Sequence, residues 1–165
     1  MKLYHGGLEP CPKPKILTTD RVGDFGIGFY TTSSRAQAQC FIQNKASKQN
    51  VSQGYLSCYE VPDDFLRQNS LKIKNFTAAD ETWIDFVLKN RRQADIDHNY
   101  DVIYGPVAND QVYASFTLFE NELISKAELI ERLKTTRLVD QILFHTEKSL
   151  LILKYMGSEV IQCNQ

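Results

Sequence analysis

The chain has 165 residues, of which 42% are hydrophobic, 11% aromatic and 24% charged. Such a length gives one domain as the prior and lets about two-thirds of the unfolded surface be buried, which excludes collagen, disorder and small disulfide scaffolds. Nineteen basic against twenty acidic residues leave a net charge of -1, so bulk electrostatics pull the protein neither to DNA nor to an anionic membrane.

The opening residues, MKLYHGGLEPCPKP, contain no apolar h-region and do not read as a secretory signal. They begin with a short apolar stretch over 1–4, and Gly6-Gly7 then reads as a turn. Residues 8–27 hold Pro and Gly without a sustained period, so a long irregular segment is expected, and segments of that kind are usually functional. Residues 29–32 have β character. Ser33 or Ser34 then caps a helix to about residue 48, with Ala36, Cys40 and Phe41 expected on its buried face.

Alternation predicts strands over 54–61 and 70–76. Thr77 and Asp80 signal a helix through about residue 92, on which Trp83, Phe86 and Val87 recur at helical spacing. A buried strand is expected over 100–107, ended by Gly105-Pro106, with a helix over 110–119. Ser125-x-x-Glu128 is a capping box that opens a helix with Leu129, Ile130 and Leu133 inward. A strand over 142–145, a helix over 147–153 and a strand over 158–163 complete a single α+β domain.

The longest apolar run, 150–153, is far short of the roughly 20 residues that span a bilayer. Cysteines stand at 11, 40, 58 and 163, with no CxxC pair and no His at finger spacing. No metal site is therefore expected, and the thiols suit a reducing cytoplasm.

Three histidines bear on chemistry: His5, His98 and His145. His98 in DIDHNYD reads as solvated, whereas His5 ends the first strand beside two glycines, where a ring nitrogen can face a ligand. Gly23-x-x-Gly26-x-Gly28 has the wrong order and context for a dinucleotide fingerprint, because it follows a loop and leads into a strand. There is no G-x-S-x-G and no HExxH.

Taken together, Tyr4-His5-Gly6 and, about 20 residues on, Gly26-Ile27-Gly28-Phe29-Tyr30-Thr31-Thr32 resemble the ADP-ribosyltransferase superfamily, in its branch with a His in the first motif and a Tyr in the second. The stretches 24–30, 100–110 and 141–148 look like a bacterial family of uncharacterised domains in that superfamily, and the likeness covers essentially the whole chain. It implies a split, strongly bent β-sheet with flanking helices that clasps NAD in a cleft. His5 would then bond the ribose near the adenine, the Gly6 backbone would meet the nicotinamide amide, and Tyr30 would stack on the nicotinamide ring. Phe25, Gly26, Gly28 and Thr31 complete the implied NAD-binding set.

The implied reaction cleaves the bond between nicotinamide and ribose through an oxocarbenium-like state, as in glycoside hydrolysis. Many members use a Glu in a late strand to hold the ribose 2′-hydroxyl, and the matching position here is Gln141. Exchanging a charge-assisted bond for a neutral one slows such a reaction by roughly ten-fold. Asp110 is the first candidate for a compensating carboxylate, with a helix N-cap as its other reading, while Asp140 on a strand would face away from Gln141.

The resemblance thus implies an NAD-dependent mono-ADP-ribosyltransferase, toxin- or effector-like, that modifies an intracellular macromolecule. A protein is the expected acceptor, since no broad basic surface is present to neutralise phosphates. An inhibitory partner protein is compatible with this picture. The rival readings are an NAD glycohydrolase and an NAD- or nucleotide-binding module that acts through a partner.

Overall fold

In the computed structural model, residues 1–16, 23–92, 99–108, 110–134 and 138–163 are described, apart from the side chains at 91, 92, 110 and 111. Among them the chain runs β1 (Lys2–Gly7), β2 (Phe29–Thr31), α1 (Arg35–Gln49), β3 (Gln53–Glu60), β4 (Ile73–Asn75) and α2 (Glu81–Arg92). It continues with β5 (Val102–Pro106), α3 (Asp110–Glu120), α4 (Lys126–Lys134), β6 (Asp140–Phe144), α5 (Glu147–Leu150) and β7 (Lys154–Gln162). This is a mixed α+β fold.

The strands divide into two sheets, ordered β1-β3-β7 and β2-β6-β5-β4. Only β4 and β5 run parallel among the paired strands; the other pairs are antiparallel. The sheets touch through a bridge in which Tyr4 and Thr32 exchange backbone bonds of 2.8 and 3.0 Å. That bridge sets His5, the next residue of β1, beside the start of the second sheet.

Apolar side chains fill three layers. Leu3 and Tyr59 of the first sheet meet Phe29, Val102, Ile142 and Phe144 of the second. The other face of the second sheet, with Ile103 and Leu143, packs on Trp83, Val112, Phe116 and Leu129 from α2, α3 and α4. Outside the first sheet, α1 lays Ala38, Ile42 and Ala46 over Leu56.

The α1 contact differs from the sequence expectation. Ala36, Cys40 and the 53%-exposed Phe41 point outward, and the buried stripe is Ala38, Ile42, Ala46. The reason lies across the interface. A Cβ on Gly6 would stand 2.7 Å from the Ala38 carbonyl oxygen, and one on Gly54 only 2.4 Å from Ile42 Cγ2. The glycines therefore serve close helix-on-sheet approach. For the same reason Gly6-Gly7 is not a turn; β1 runs through both.

Local signals are met at several ends. Ser34 caps α1 by accepting from the Gln37 N–H, and Ser125 and Glu128 bond reciprocally at the start of α4. At α2, however, Asp80 accepts from Trp83 N and Thr82 Oγ1, so Asp80 and not Thr77 is the cap. On α2, Trp83 and Val87 are buried and Phe86 half-buried; on α4, Leu129 and Leu133 are buried and Ile130 half-buried. The helix expected over 147–153 stops at Leu150, and the last strand starts early, at Lys154, because it pairs with the whole of β3.

Among the described residues no helix is long and apolar enough to cross a membrane, and no group of three His, Cys, Asp or Glu is arranged to hold a metal ion. All four cysteines are unbridged.

Candidate functional site

His5 lies on the face of β1 that looks toward the second sheet. Its ring stacks on Phe29 at 4.4 Å, and Nδ1 stands 2.8 Å from the Tyr30 carbonyl oxygen. A carbonyl only accepts, so Nδ1 carries the proton and Nε2 is left as an acceptor. Burial holds the His5 pKa below its ordinary value against the upward pull of that bond, with Lys45 adding to the depression. The ring is accordingly neutral at pH 7, and Nε2 bonds no described residue.

Tyr30 pairs with Leu143 across β2 and β6, and its ring reaches the helical side of the second sheet. The hydroxyl donates to Gly26 O at 2.7 Å and accepts from Phe25 N at 3.1 Å. Burial, more than any other cause, raises the phenol's pKa well above its ordinary value, so the hydroxyl stays protonated. The loop before it is shaped to fit. Gly23 bridges Gly26, which has φ 105°, and a Cβ on Gly23 would fall 2.4 Å from the Tyr30 hydroxyl. At Gly28 (φ 153°) a Cβ would stand 2.5 Å from both Leu143 Cδ1 and Phe144 O, so the chain enters β2 only without a side chain there.

Gln141 sits on β6 opposite Gly105 and is only 8% exposed. Its Nε2 donates to Asp24 Oδ2 at 2.9 Å and to Pro106 O at 3.2 Å. Asp24, itself buried, also accepts from Ala108 N at 3.0 Å and from the Tyr113 hydroxyl at 2.9 Å. His145 Nδ1 meets Ile27 O at 2.6 Å, tying down the same loop. The 23–28 loop thus connects Tyr30 to Gln141, and His5 joins through the Tyr30 carbonyl.

Two expected contacts take other places. Phe25 is fully buried, its ring stacked on Phe76, so the ring is a core element and not a surface for a ligand. Thr31 is also buried and turned toward Ile142 O, at 3.4 Å. Asp110 begins α3, but its side chain lies outside the described residues, as does His98.

Asp140 faces away from Gln141, as strand alternation requires. It accepts from Thr32 Oγ1 at 2.8 Å and from the Ser33 N–H and hydroxyl at 2.8 and 2.6 Å. A concavity of about 260 Å³ opens beside it, lined by Ser33, Ser34, Phe76, Tyr104 and Pro106 among others.

The model of the DUF3990 family, described as a protein of unknown function, matches residues 1–155. The chain belongs to that family. No curated protein matches it.

Within this DUF3990 chain, Asp24 is the residue that sequence reading did not single out. Its signal was available: an acidic side chain inside a glycine-rich, aromatic stretch, with no obvious local partner. The partner is 117 residues away.

Proposed function

We propose that this protein is an NAD-dependent mono-ADP-ribosyltransferase that modifies a macromolecule inside the cell, with a protein as acceptor, acting in the manner of a toxin or effector. The observation that carries the reading is the placement of His5, Tyr30 and Gln141, from β1, β2 and β6, around one segment of chain: His5 bonds the Tyr30 carbonyl, the Tyr30 hydroxyl bonds Gly26 O, and Gln141 bonds Asp24 of the same 23–28 loop. The two sheets bridged at Tyr4 and Thr32 agree with the split sheet that such a fold would need.

The available groups suit a ligand rich in hydroxyls. His5 Nε2 is an acceptor without a described partner, and Gln141 retains a carbonyl oxygen. His5 would hold one ribose of NAD and Gln141 the hydroxyl next to the reacting carbon. In the reaction the C–N bond between ribose and nicotinamide breaks, and its electron pair leaves with neutral nicotinamide. A lone pair of the acceptor then bonds to the same carbon, and the acceptor's proton passes to solvent.

Purified protein is incubated with NAD and cell lysate, and nicotinamide release is measured beside His5→Ala, Tyr30→Ala and Gln141→Ala. Release that collapses in the first two variants supports the site. Absence of release from the native protein would sink the enzyme reading. The uncharged Gln141 favours one alternative, an NAD-binding module acting through a partner, which predicts NAD binding without release. Release with no labelled acceptor would make water the acceptor and the protein an NAD glycohydrolase.

A further inference from the structure

Gln141 has two amide donors and one carbonyl acceptor. The groups facing its Nε2 are the Asp24 carboxylate and the Pro106 carbonyl, at 2.9 and 3.2 Å. Both only accept. Turning the amide over would set Oε1 against two acceptors and strand both donors, so chemistry permits a single orientation. Oε1 is then directed away from Asp24 and bonds no described residue.

Asp24 is itself fixed. It is 5% exposed and takes Ala108 N at 3.0 Å and the Tyr113 hydroxyl at 2.9 Å in addition to Gln141. We infer that Asp24 is a positioning residue that locks the Gln141 amide so that Oε1 is presented as an acceptor to a hydroxyl of the bound NAD ribose. This rests on the proposed transferase reading and deepens it. A Gln at this place then offers the ribose the same hydrogen-bond polarity as a carboxylate. The N–H donated to Asp24 is charge-assisted, and it polarises the amide so that Oε1 becomes a stronger acceptor.

The test measures nicotinamide release against NAD concentration for the native protein, Asp24→Ala and Asp24→Asn, with thermal unfolding recorded alongside. Exchange of the Gln141 side-chain amide protons is followed by NMR in ¹⁵N-labelled protein and assigned through their loss in Gln141→Ala. Asp24→Ala is expected to lower kcat by about ten-fold or more with KM within about three-fold, and to speed amide exchange. Asp24→Asn can place its carbonyl oxygen where Oδ2 stood, and it is expected to keep kcat within about ten-fold of native, above Asp24→Ala, with slow exchange. If Asp24→Ala does not fold, Asp24→Ser, one bond shorter than Asp, takes its place with the same expected loss. Release by the native protein combined with an unchanged kcat or unchanged amide exchange in the Ala or Ser variant overturns this inference alone. An Asn variant as slow as the Ala variant also overturns it. Absence of release from the native protein overturns the transferase reading and this inference with it.

Discussion

Gln141→Glu installs the carboxylate that the resemblance leads one to expect, yet the structure predicts damage. The new oxygen would stand where Nε2 now lies, 2.9 Å from Asp24 Oδ2. Two charges at that separation repel by about 6 kcal/mol at an effective dielectric of about 20. Holding a proton on a carboxyl of ordinary pKa near 4.3 costs about 4 kcal/mol at pH 7, so the pair keeps the proton instead. The folded-state pKa is thus raised above the unfolded value. Stability is unaffected below about pH 4 and falls as pH rises, by about 1.4 kcal/mol per unit, until the raised pKa is passed. From pH 5 to pH 7 the loss is about 3 kcal/mol, or about 6–12 °C in Tm for a chain of this size. Circular dichroism melts of native and Gln141→Glu protein at pH 5, 6, 7 and 8 and constant ionic strength read this directly. The curves should separate as pH rises, and adding Asp24→Asn should bring them closer. Tm profiles that run parallel across the range would refute the Asp24–Gln141 contact as drawn.

Because burial depresses the His5 pKa, its contribution to stability is present above about pH 6.5 and is lost as pH falls through the folded value. The acid-side fall in Tm should therefore be smaller in His5→Gln, and an identical fall would place that dependence elsewhere. Tyr30→Phe removes the bonds to Gly26 O and Phe25 N, costing about 1–3 kcal/mol, and the Phe25 amide should lose hydrogen-exchange protection. Native-like protection at Phe25 would count against those bonds. Gly54→Ala drives a methyl to within 2.4 Å of Ile42 Cγ2 and 2.9 Å of Gly7 O, which should destabilise by about 1–3 kcal/mol in urea. Combined with Ile42→Ala the cost should be less than the sum of the two, whereas strict additivity would mean that α1 does not bear on that glycine.

The α1 helix shows where sequence reading stops. Its ends are plain, since Ser34 caps one and Asn50, at φ 54°, closes the other. Its buried face is not, because Ala36, Cys40 and Phe41 look as apolar as Ala38, Ile42 and Ala46. The choice is made by Gly6 and Gly54, which leave room for the backbone and small side chains of one stripe only. Phe41 would not fit there and remains outside. The site divides in the same way. His5 and Tyr30 stood out as residue types in unusual settings. Asp24 carried a fainter sign, an acidic residue in a glycine-rich, aromatic stretch, and its role becomes plain only through its donors, which come from residues 108, 113 and 141.

By itself, then, the sequence determined the α+β class, the order of helices and strands and most helix starts, because caps and side-chain periodicities act over a few neighbouring residues. Tertiary structure alone decided the division into two sheets, the face that α1 buries and the orientation of the Gln141 amide. Each depends on groups far apart in the chain, and a hydrogen bond or a close packing contact exists only once folding has brought both partners to the same place.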